Sequence, residues 1–320
     1  MPVADEPAAS SAPLDAILEK VLEAVPFQFT TDGGPEASRQ RFRDLPRRPV
    51  HPELRVEDRT VDGPAGPIPV RLYWPPETGA APPPVVVFFH GGGWVVGDLD
   101  TYDGTARLHA VGAGALVVSV DYRLAPEHPF PAAVDDVWAA TRWAAEHAAE
   151  LGADPRRLAI AGDSAGGNLA AVVALLARDA GGPTIRFQLL WYPATTWDTS
   201  LPSFTENADA PVLAVAAVGG LSRWYAGHVD LKNPPPTLVP ARAEDLSGLP
   251  PAYIAVAGHD PLRDDGVRYG ELLAAAGVPV EVHNATSLVH GYVGYAGVVP
   301  AATDAADRGL SALREALHCA

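Results

Sequence analysis

The sequence contains one cysteine, Cys319, among its 320 residues. A lone cysteine cannot form an intrachain disulfide, so the fold cannot depend on one. Lysine occurs only as Lys20 and Lys232, no block of basic residues is present, and the formal net charge at pH 7 is -16. Because this charge opposes binding to polyanions, nucleic acids and anionic membrane surfaces are excluded as expected partners.

Long apolar runs are missing as well. No run is long enough to span a membrane, and the N-terminus lacks the basic region and apolar core of a secretion signal. We therefore expect a cytoplasmic protein without stable membrane association. The length is sufficient for one large α/β domain with an appendage. Residues 1–12 are rich in alanine, serine and proline, and we expect them to be disordered.

The distribution of apolar residues predicts alternating strands and helices. Helical spacing of leucine, isoleucine and valine predicts a helix at residues 14–25, and residues 31–52 are expected to form an irregular or partly helical cover. Strands are predicted at residues 54–61, 68–74, 85–89, 115–122, 157–161, 185–192, 252–257 and 280–283. Further helices are predicted at residues 132–151, 167–178, 264–276 and 301–317.

These eight strands and their intervening helices predict an α/β fold. The sheet is expected to be mostly parallel and doubly wound, with helices on both faces and an antiparallel hairpin at its start. Residues 195–232 interrupt the alternation and are expected to form a helical cap insertion. With residues 1–50 as an N-terminal cap segment, the core then comprises residues 51–194 and residues 233–320.

The sequence Gly-Asp-Ser-Ala-Gly at residues 162–166 lies between a predicted strand and a predicted helix. Flanking glycines permit a tight turn, and such a turn places its central serine in a strained backbone conformation. The hydroxyl is then exposed at a helix N-terminus, where the helix dipole favours negative charge. We therefore predict that Ser164 is a nucleophile.

A serine nucleophile requires a base and a carboxylate that orients the base. When a turn of this kind carries the serine, the acid and then the histidine follow in the chain, each at the end of a strand. Asp260 follows the predicted strand at residues 252–257, and His290 follows the next strand. We therefore predict Asp260 as the acid and His290 as the base.

Other residues fit these roles less well. His283 falls within a predicted strand, and His318 lies in the terminal tail. His259 is expected to point away from its neighbour Asp260 if the backbone is extended there. Asp264 and Asp265 are interpreted as acidic residues at the N-terminus of the helix at residues 264–276, where the helix dipole favours them.

Three consecutive glycines follow the predicted strand at residues 85–89. Glycine allows backbone N–H groups to approach a developing oxyanion without obstruction by a Cβ atom. The N–H groups of Gly92 and Gly93, with that of Ala165, are the predicted oxyanion donors. His90 and Gly91 are predicted to support this loop.

Together these motifs resemble the bacterial hormone-sensitive-lipase-like esterases, also called family IV, and within them the group with a Gly-Asp-Ser-Ala-Gly turn. The matching segments are residues 90–94, 121–133, 162–167, 260–264 and 290–291. The resemblance implies an α/β-hydrolase fold, the triad predicted above, and a cap built from the N-terminus and the insertion. It also implies activity on short- to medium-chain acyl esters without a metal or organic cofactor.

Two departures from the family pattern leave the predicted triad intact, whereas the less family-like residues 284–289 and the cap insertion leave the acyl and alcohol preference open. The family commonly has glutamate where this chain has Asp265 and tyrosine where it has His259. Four aromatic residues are predicted either to line an acyl pocket or to pack in the core and cap. They are Trp94, Phe204, Trp224 and Tyr225.

Asp163 and Glu127 are further candidates, because an acidic residue near the base can tune it or hold a loop. The expected partner is a small-molecule ester, and the last strand and helix would permit a homodimer by analogy with related esterases. The same constellation could hydrolyse an amide, carbamate or lactone. A protein that only binds a small ligand is the remaining alternative, although the presence of His290 argues against it.

Overall fold

The computed structural model describes residues 11–76 and 81–319, so most of the segment expected to be disordered lies outside the described residues. The strands form one sheet in the order β1-β2-β4-β3-β5-β6-β7-β8. The pairs β1/β2 and β2/β4 are antiparallel, and the remaining pairs are parallel. The strands are β1 (Val56–Gly63), β2 (Gly66–Tyr73), β3 (Val85–Phe89), β4 (Leu116–Val120), β5 (Leu158–Asp163), β6 (Phe187–Trp191), β7 (Ala252–His259) and β8 (Val280–Val289).

Helices cover both faces of the sheet, as predicted. Helices α3 and α9 pack on one face, and α4, α5 and α8 pack on the other. The helices are α1 (Ala16–Ala24), α2 (Gly34–Arg43), α3 (Asp103–Ala113), α4 (Ala132–His147), α5 (Ala165–Asp179), α6 (Pro202–Glu206), α7 (Val215–Ala226), α8 (Arg263–Ala275) and α9 (Pro300–His318). Within the described ranges, no helix combines the length and the hydropathy needed to cross a membrane.

Strand β3 shows why its sequence is apolar throughout. Because successive side chains point to opposite faces, Val85, Val87 and Phe89 join the core under α4 and α5. Val86 and Phe88 join the core under α3 and α9. Burial on both faces removes the alternation of polar and apolar residues that marks a half-exposed strand. The prediction of a mostly parallel, two-sided sheet is therefore confirmed.

Two elements differ from the sequence prediction. Strand β8 extends to Val289 rather than ending at residue 283, and it pairs with β7 along most of this length. Helix α3 was not predicted. The segment at residues 31–52 is partly helical, in agreement with the prediction, and contains the ten-residue helix α2.

The N-terminal segment packs against distant parts of the chain. Asp15 caps α1, and its backbone N–H donates to the Ser287 carbonyl oxygen at 3.0 Å. The Phe29 N–H donates to the Val212 carbonyl oxygen at 2.9 Å. These contacts join the first residues of the chain to β8 and to the insertion that contains α6 and α7.

Candidate active site

Ser164 lies in a sharp turn between β5 and α5. Its backbone has φ 55° and ψ -115°, which is a strained conformation for a residue with a side chain. The flanking glycines leave no free space, because a Cβ atom on Gly162 would overlap the Gly166 carbonyl oxygen, and one on Gly166 would overlap the Phe89 carbonyl oxygen. The sequence therefore enforces a turn that holds the serine hydroxyl above the sheet.

Hydrogen bonds connect the serine to a histidine and an aspartate. His290 Nε2 lies 2.9 Å from Ser164 Oγ, and His290 Nδ1 lies 2.7 Å from Asp260 Oδ2. The Leu262 N–H donates to the other Asp260 oxygen at 2.8 Å. Because the buried carboxylate accepts Nδ1–H, Nε2 is left to accept the serine proton. The structure thus brings together the three residues predicted as nucleophile, base and acid.

The glycine loop, defined here as residues 90–93, follows β3 beside the serine. The buried His90 ring donates from Nδ1 to the Gly91 carbonyl oxygen at 2.8 Å, and the Tyr122 hydroxyl donates to the His90 carbonyl oxygen at 2.8 Å. Burial lowers the pKa of His90 to about 4, although its bond to Gly91 acts in the opposite direction. His90 is therefore neutral near pH 7 and holds the loop.

The backbone of the loop requires glycine. Gly92 has φ 103° and Gly93 has φ 61°, and a Cβ atom on Gly92 would overlap the Val96 carbonyl oxygen. Ala165 begins α5, and the first N–H groups of a helix have no acceptor within that helix. Gly92 and Ser164 line the same cavity, and Ala165 directly follows Ser164 in the chain. The predicted donors therefore lie in two segments that meet at Ser164.

Asp163 is the last residue of β5 and is buried. Its Oδ1 accepts the Gly91 N–H at 2.8 Å, and its Oδ2 accepts the Tyr102 hydroxyl at 3.2 Å. Burial raises the pKa of Asp163 to about 7, while the Gly91 N–H, the charge of His290 and the Tyr102 hydroxyl favour the carboxylate. An acidic group therefore links the serine turn to the glycine loop.

A cavity of about 490 Å³ opens onto Ser164 and His290. Its wall includes aromatic residues of the N-terminal segment, with Phe27 and Phe29 in edge contact at 4.9 Å between ring centroids and Phe29 stacked on Phe42 at 5.8 Å. These three phenylalanines were not identified as site residues from the sequence. The spacing of apolar residues predicts a helix but does not show where the N-terminal segment packs.

The four aromatic candidates from the sequence do not line this cavity. Trp94 and Tyr225 are buried and stacked on each other at 4.4 Å between ring centroids. Phe204 is buried in α6, and Trp224 is partly buried on α7. These residues were predicted either to line an acyl pocket or to pack in the core and cap. Their positions correspond to the second role, packing between the insertion and the core.

Three further polar residues considered in the sequence analysis have definite positions. Asp265 lies in the first turn of α8, as expected, but its buried carboxylate also accepts hydrogen bonds from residues 195–197 at the start of the insertion. His259 faces the Ala12 carbonyl oxygen at 2.9 Å. Glu127 pairs with Arg39 at 2.5 Å. Across the described ranges, no group of three or more His, Cys, Asp or Glu side chains is arranged to hold a metal ion.

The sheet order, the serine turn and the glycine loop define the class of the protein as an α/β hydrolase. Residues 86–294 match the Abhydrolase_3 family model, described as an alpha/beta hydrolase fold. The chain belongs to this family, the hormone-sensitive-lipase-like family IV, and it is a carboxylic ester hydrolase.

Relatives cover the chain along nearly all of its length. Esterase LipI of Mycobacterium tuberculosis is 69% identical over 319 residues, which span 99% of this chain and 100% of that protein. Carboxylesterase NlhH of the same organism is 58% identical over 319 residues, spanning 98% and 99% of the two chains. The crystal structure of DphMB1 is 75% identical with a TM-score of 0.93, covering 95% of this chain and 99% of that one.

Proposed function

We propose that the chain is a serine carboxylesterase that hydrolyses short- to medium-chain acyl esters through an acyl-enzyme intermediate. Ser164 is the nucleophile, His290 the general base and Asp260 the orienting acid. The observation that carries this proposal is the continuous hydrogen-bonded path from Ser164 Oγ through both His290 ring nitrogens to Asp260, with distances of 2.9 and 2.7 Å.

In the first half of the reaction, His290 Nε2 takes the proton from Ser164 while Oγ attacks the ester carbonyl carbon. The carbonyl oxygen becomes an oxyanion, which accepts hydrogen bonds from the N–H groups of Gly92, Gly93 and Ala165. Removing one such donor typically costs about 3 kcal/mol of transition-state stabilisation. Both glycines have a positive φ, which supports this assignment. Such a backbone favours glycine, and the absence of a Cβ atom lets the N–H groups approach the oxyanion.

The tetrahedral intermediate then collapses to the acyl-enzyme, and the leaving alcohol takes the proton from His290. In the second half, a water molecule gives a proton to His290 and attacks the acyl carbon. The second tetrahedral intermediate collapses, Ser164 Oγ takes the proton back from His290, and the acid is released. Asp260 accepts the Nδ1–H throughout and stabilises the positive imidazolium. These steps use side chains and backbone groups of the chain itself and require no metal or organic cofactor.

We propose that the substrate occupies the cavity lined by Phe27, Phe29 and Phe42. The contacts of the N-terminal segment with β8 and the insertion support the division into cap segments at residues 1–50 and 195–232 over a core at residues 51–194 and 233–320. A small-molecule ester is the proposed partner. We also propose a cytoplasmic location and a homodimer formed through the last strand and helix, β8 and α9. Sedimentation equilibrium tests the homodimer.

The central experiment compares p-nitrophenyl esters of increasing acyl length with wild-type, Ser164→Ala and Ser247→Ala proteins. Wild type and the exposed-serine control should hydrolyse short and medium esters, with rates that fall for long chains. Ser164→Ala should lose at least about a thousandfold in kcat while remaining folded by circular dichroism. Retained turnover in Ser164→Ala would refute the assignment of the nucleophile.

Covalent trapping gives an independent test of the nucleophile. A p-nitrophenyl dialkyl phosphate should transfer its phosphoryl group to Ser164 and release one equivalent of p-nitrophenolate. Mass spectrometry of peptides should locate the added mass on the peptide that contains residues 162–166. Addition to a different residue would contradict the proposed mechanism.

A further inference from the structure

The charged residues that line the cavity are unevenly distributed. Asp163 and His290 lie at the serine, and the other charged lining residues are Arg47 and Arg48, which follow α2 and are exposed to solvent. The chain as a whole has 39 acidic residues against 23 lysines and arginines. The two guanidinium groups on the wall of the active-site cavity are therefore positive, whereas the protein as a whole is negative.

Arg47 is held by backbone carbonyl groups rather than by a carboxylate. Partial burial lowers its pKa below the ordinary value, and the charge of Asp98 acts in the opposite direction. Arginine nevertheless stays protonated in proteins, so the guanidinium keeps its positive charge without a neutralising contact. It donates to the carbonyl oxygens of Phe42, Arg43, Leu45 and Thr101 at 2.6 to 3.1 Å.

Arg48 is anchored at one point and retains most of its donors. Its Nη2 donates to the Ala296 carbonyl oxygen at 2.6 Å, whereas a guanidinium carries five N–H donors. A Cβ atom on Gly297 would overlap the guanidinium, so glycine at this position makes room for it. In the part of the chain that the structure describes, no carboxylate oxygen lies within 4.0 Å of the nitrogens of either arginine.

Most of the cavity wall is apolar. Phe27, Phe29 and Phe42 contribute rings to this wall, and Val25 and Val298 add partly exposed aliphatic surface. A ligand that fills the cavity therefore meets polar groups at Ser164, apolar groups along its length, and a pair of cationic groups elsewhere on the wall. An apolar acyl or alcohol chain that ends in an anion matches all three regions.

We infer that the cavity accepts esters that carry a free carboxylate remote from the bond that is cleaved, such as hemiesters of dicarboxylic acids. Arg48 binds this carboxylate with its free N–H groups, and Arg47 adds positive potential beside it. Water cleaves the acyl C–O bond as in the general mechanism, so the products are a dicarboxylate and a neutral alcohol. This inference rests on the proposed function and names a substrate class for the same site.

The test compares two ethyl esters of equal carbon number, monoethyl suberate with a terminal carboxylate and ethyl octanoate with a terminal methyl group. The measured quantity is the ratio of kcat/KM for the charged ester to that for the neutral ester. We expect Arg48→Gln to lower this ratio about tenfold, because a hydrogen bond to a charged group is lost. The ratio cancels any change in rate that Arg48→Gln causes for both esters alike.

Controls separate a specific contact from a general loss of charge. Arg41→Gln removes the same charge from the exposed face of α2, outside the cavity lining, and should leave the ratio unchanged. Arg48→Lys keeps the charge without the planar fork and should restore part of the ratio. In the wild type, added salt should lower the ratio, because the arginines are exposed and their interaction with an anion is screened.

The outcomes distinguish this inference from the proposed function. Failure of folded wild type to hydrolyse the neutral ester and every p-nitrophenyl ester would overturn the proposed function, and the inference with it. Hydrolysis of the neutral ester with a ratio that is unchanged in Arg48→Gln and independent of salt would overturn the inference alone. An equal fall of the ratio in Arg41→Gln would overturn it as well, because overall charge would then explain the effect.

Discussion

The Asp163 carboxylate accepts the backbone N–H of Gly91 at 2.8 Å and thereby joins the serine turn to the glycine loop. The approach is so close that a Cβ atom on Gly91 would overlap the other carboxylate oxygen. The Tyr102 hydroxyl, on the cavity wall, binds that second oxygen. One buried acidic residue thus fixes the distance between the proposed nucleophile and the proposed oxyanion donors.

This link predicts a split between kcat and KM. Asp163→Ala leaves the Gly91 N–H without its acceptor, so the donors of the glycine loop lose their alignment. We expect kcat for p-nitrophenyl butyrate to fall about tenfold while KM changes little. Asp163→Asn can still accept from Gly91 and should stay within about threefold of wild type. An equal loss in both variants would show that the negative charge, rather than the hydrogen bond, is required.

The raised pKa of Asp163 predicts a pH-dependent contribution to stability. The folded pKa is about 7 against an ordinary value of 3.8, so the folded state keeps a proton that the unfolded state releases between these values. The contribution is fully present below about pH 4 and is lost as the pH rises to about 7. Urea unfolding should show the free energy of unfolding of wild type falling relative to Asp163→Asn across this window. A constant or rising difference would contradict the assignment.

Substitution of Gly92 should damage catalysis more than stability. Gly92→Ala places a methyl group against the Val96 carbonyl oxygen and displaces the loop N–H groups. We expect kcat to fall at least about a hundredfold. The matched control is Gly277→Ala, which also has a positive φ, 79°, but has open space around it. It should lose about 1 kcal/mol of stability and keep the wild-type kcat.

Asp265 should be required for stability rather than for chemistry. Asp265→Asn places an amide N–H2 among backbone and hydroxyl donors of residues 195–197, so at least one donor loses its acceptor. We expect the free energy of unfolding to fall by about 2 kcal/mol in urea titrations. Asp307→Asn, on the exposed face of α9, should change it by less than about 0.5 kcal/mol. Equal effects in the two variants would refute the structural role of Asp265.

The sequence was sufficient for the sheet and for the serine turn because both leave local signals. Strand β3 is apolar at every position, and the serine turn is marked by two glycines within five consecutive residues, 162–166. Helix α3 left a weaker signal. It contains Gly104, Gly112 and His109, and the buried His109 ring bonds to the Thr105 carbonyl oxygen and accepts the Trp191 Nε1–H at 2.9 Å, a partner far away in the chain.

The cavity wall could not be predicted, since it depends on contacts between segments far apart in the chain. Phe27 and Phe29 reach the site because the backbone at residue 29 pairs with Val212, and no local pattern marks that pairing. Strand β8 was predicted too short for a related reason. Its residues after His283 include the polar Asn284, Thr286 and Ser287, and their strand conformation is fixed by pairing with β7.

The anchoring of the N-terminal segment also has a consequence for biosynthesis. A ribosome makes Asp15 and Phe29 early, but their backbone partners, Ser287 and Val212, leave the exit tunnel much later. The segment must therefore wait in an unpaired state while most of the sheet is produced. His290, the base that activates Ser164, follows Ser287 in the chain, so the nascent chain has made the partners of its N-terminal segment by the time it acquires a complete triad.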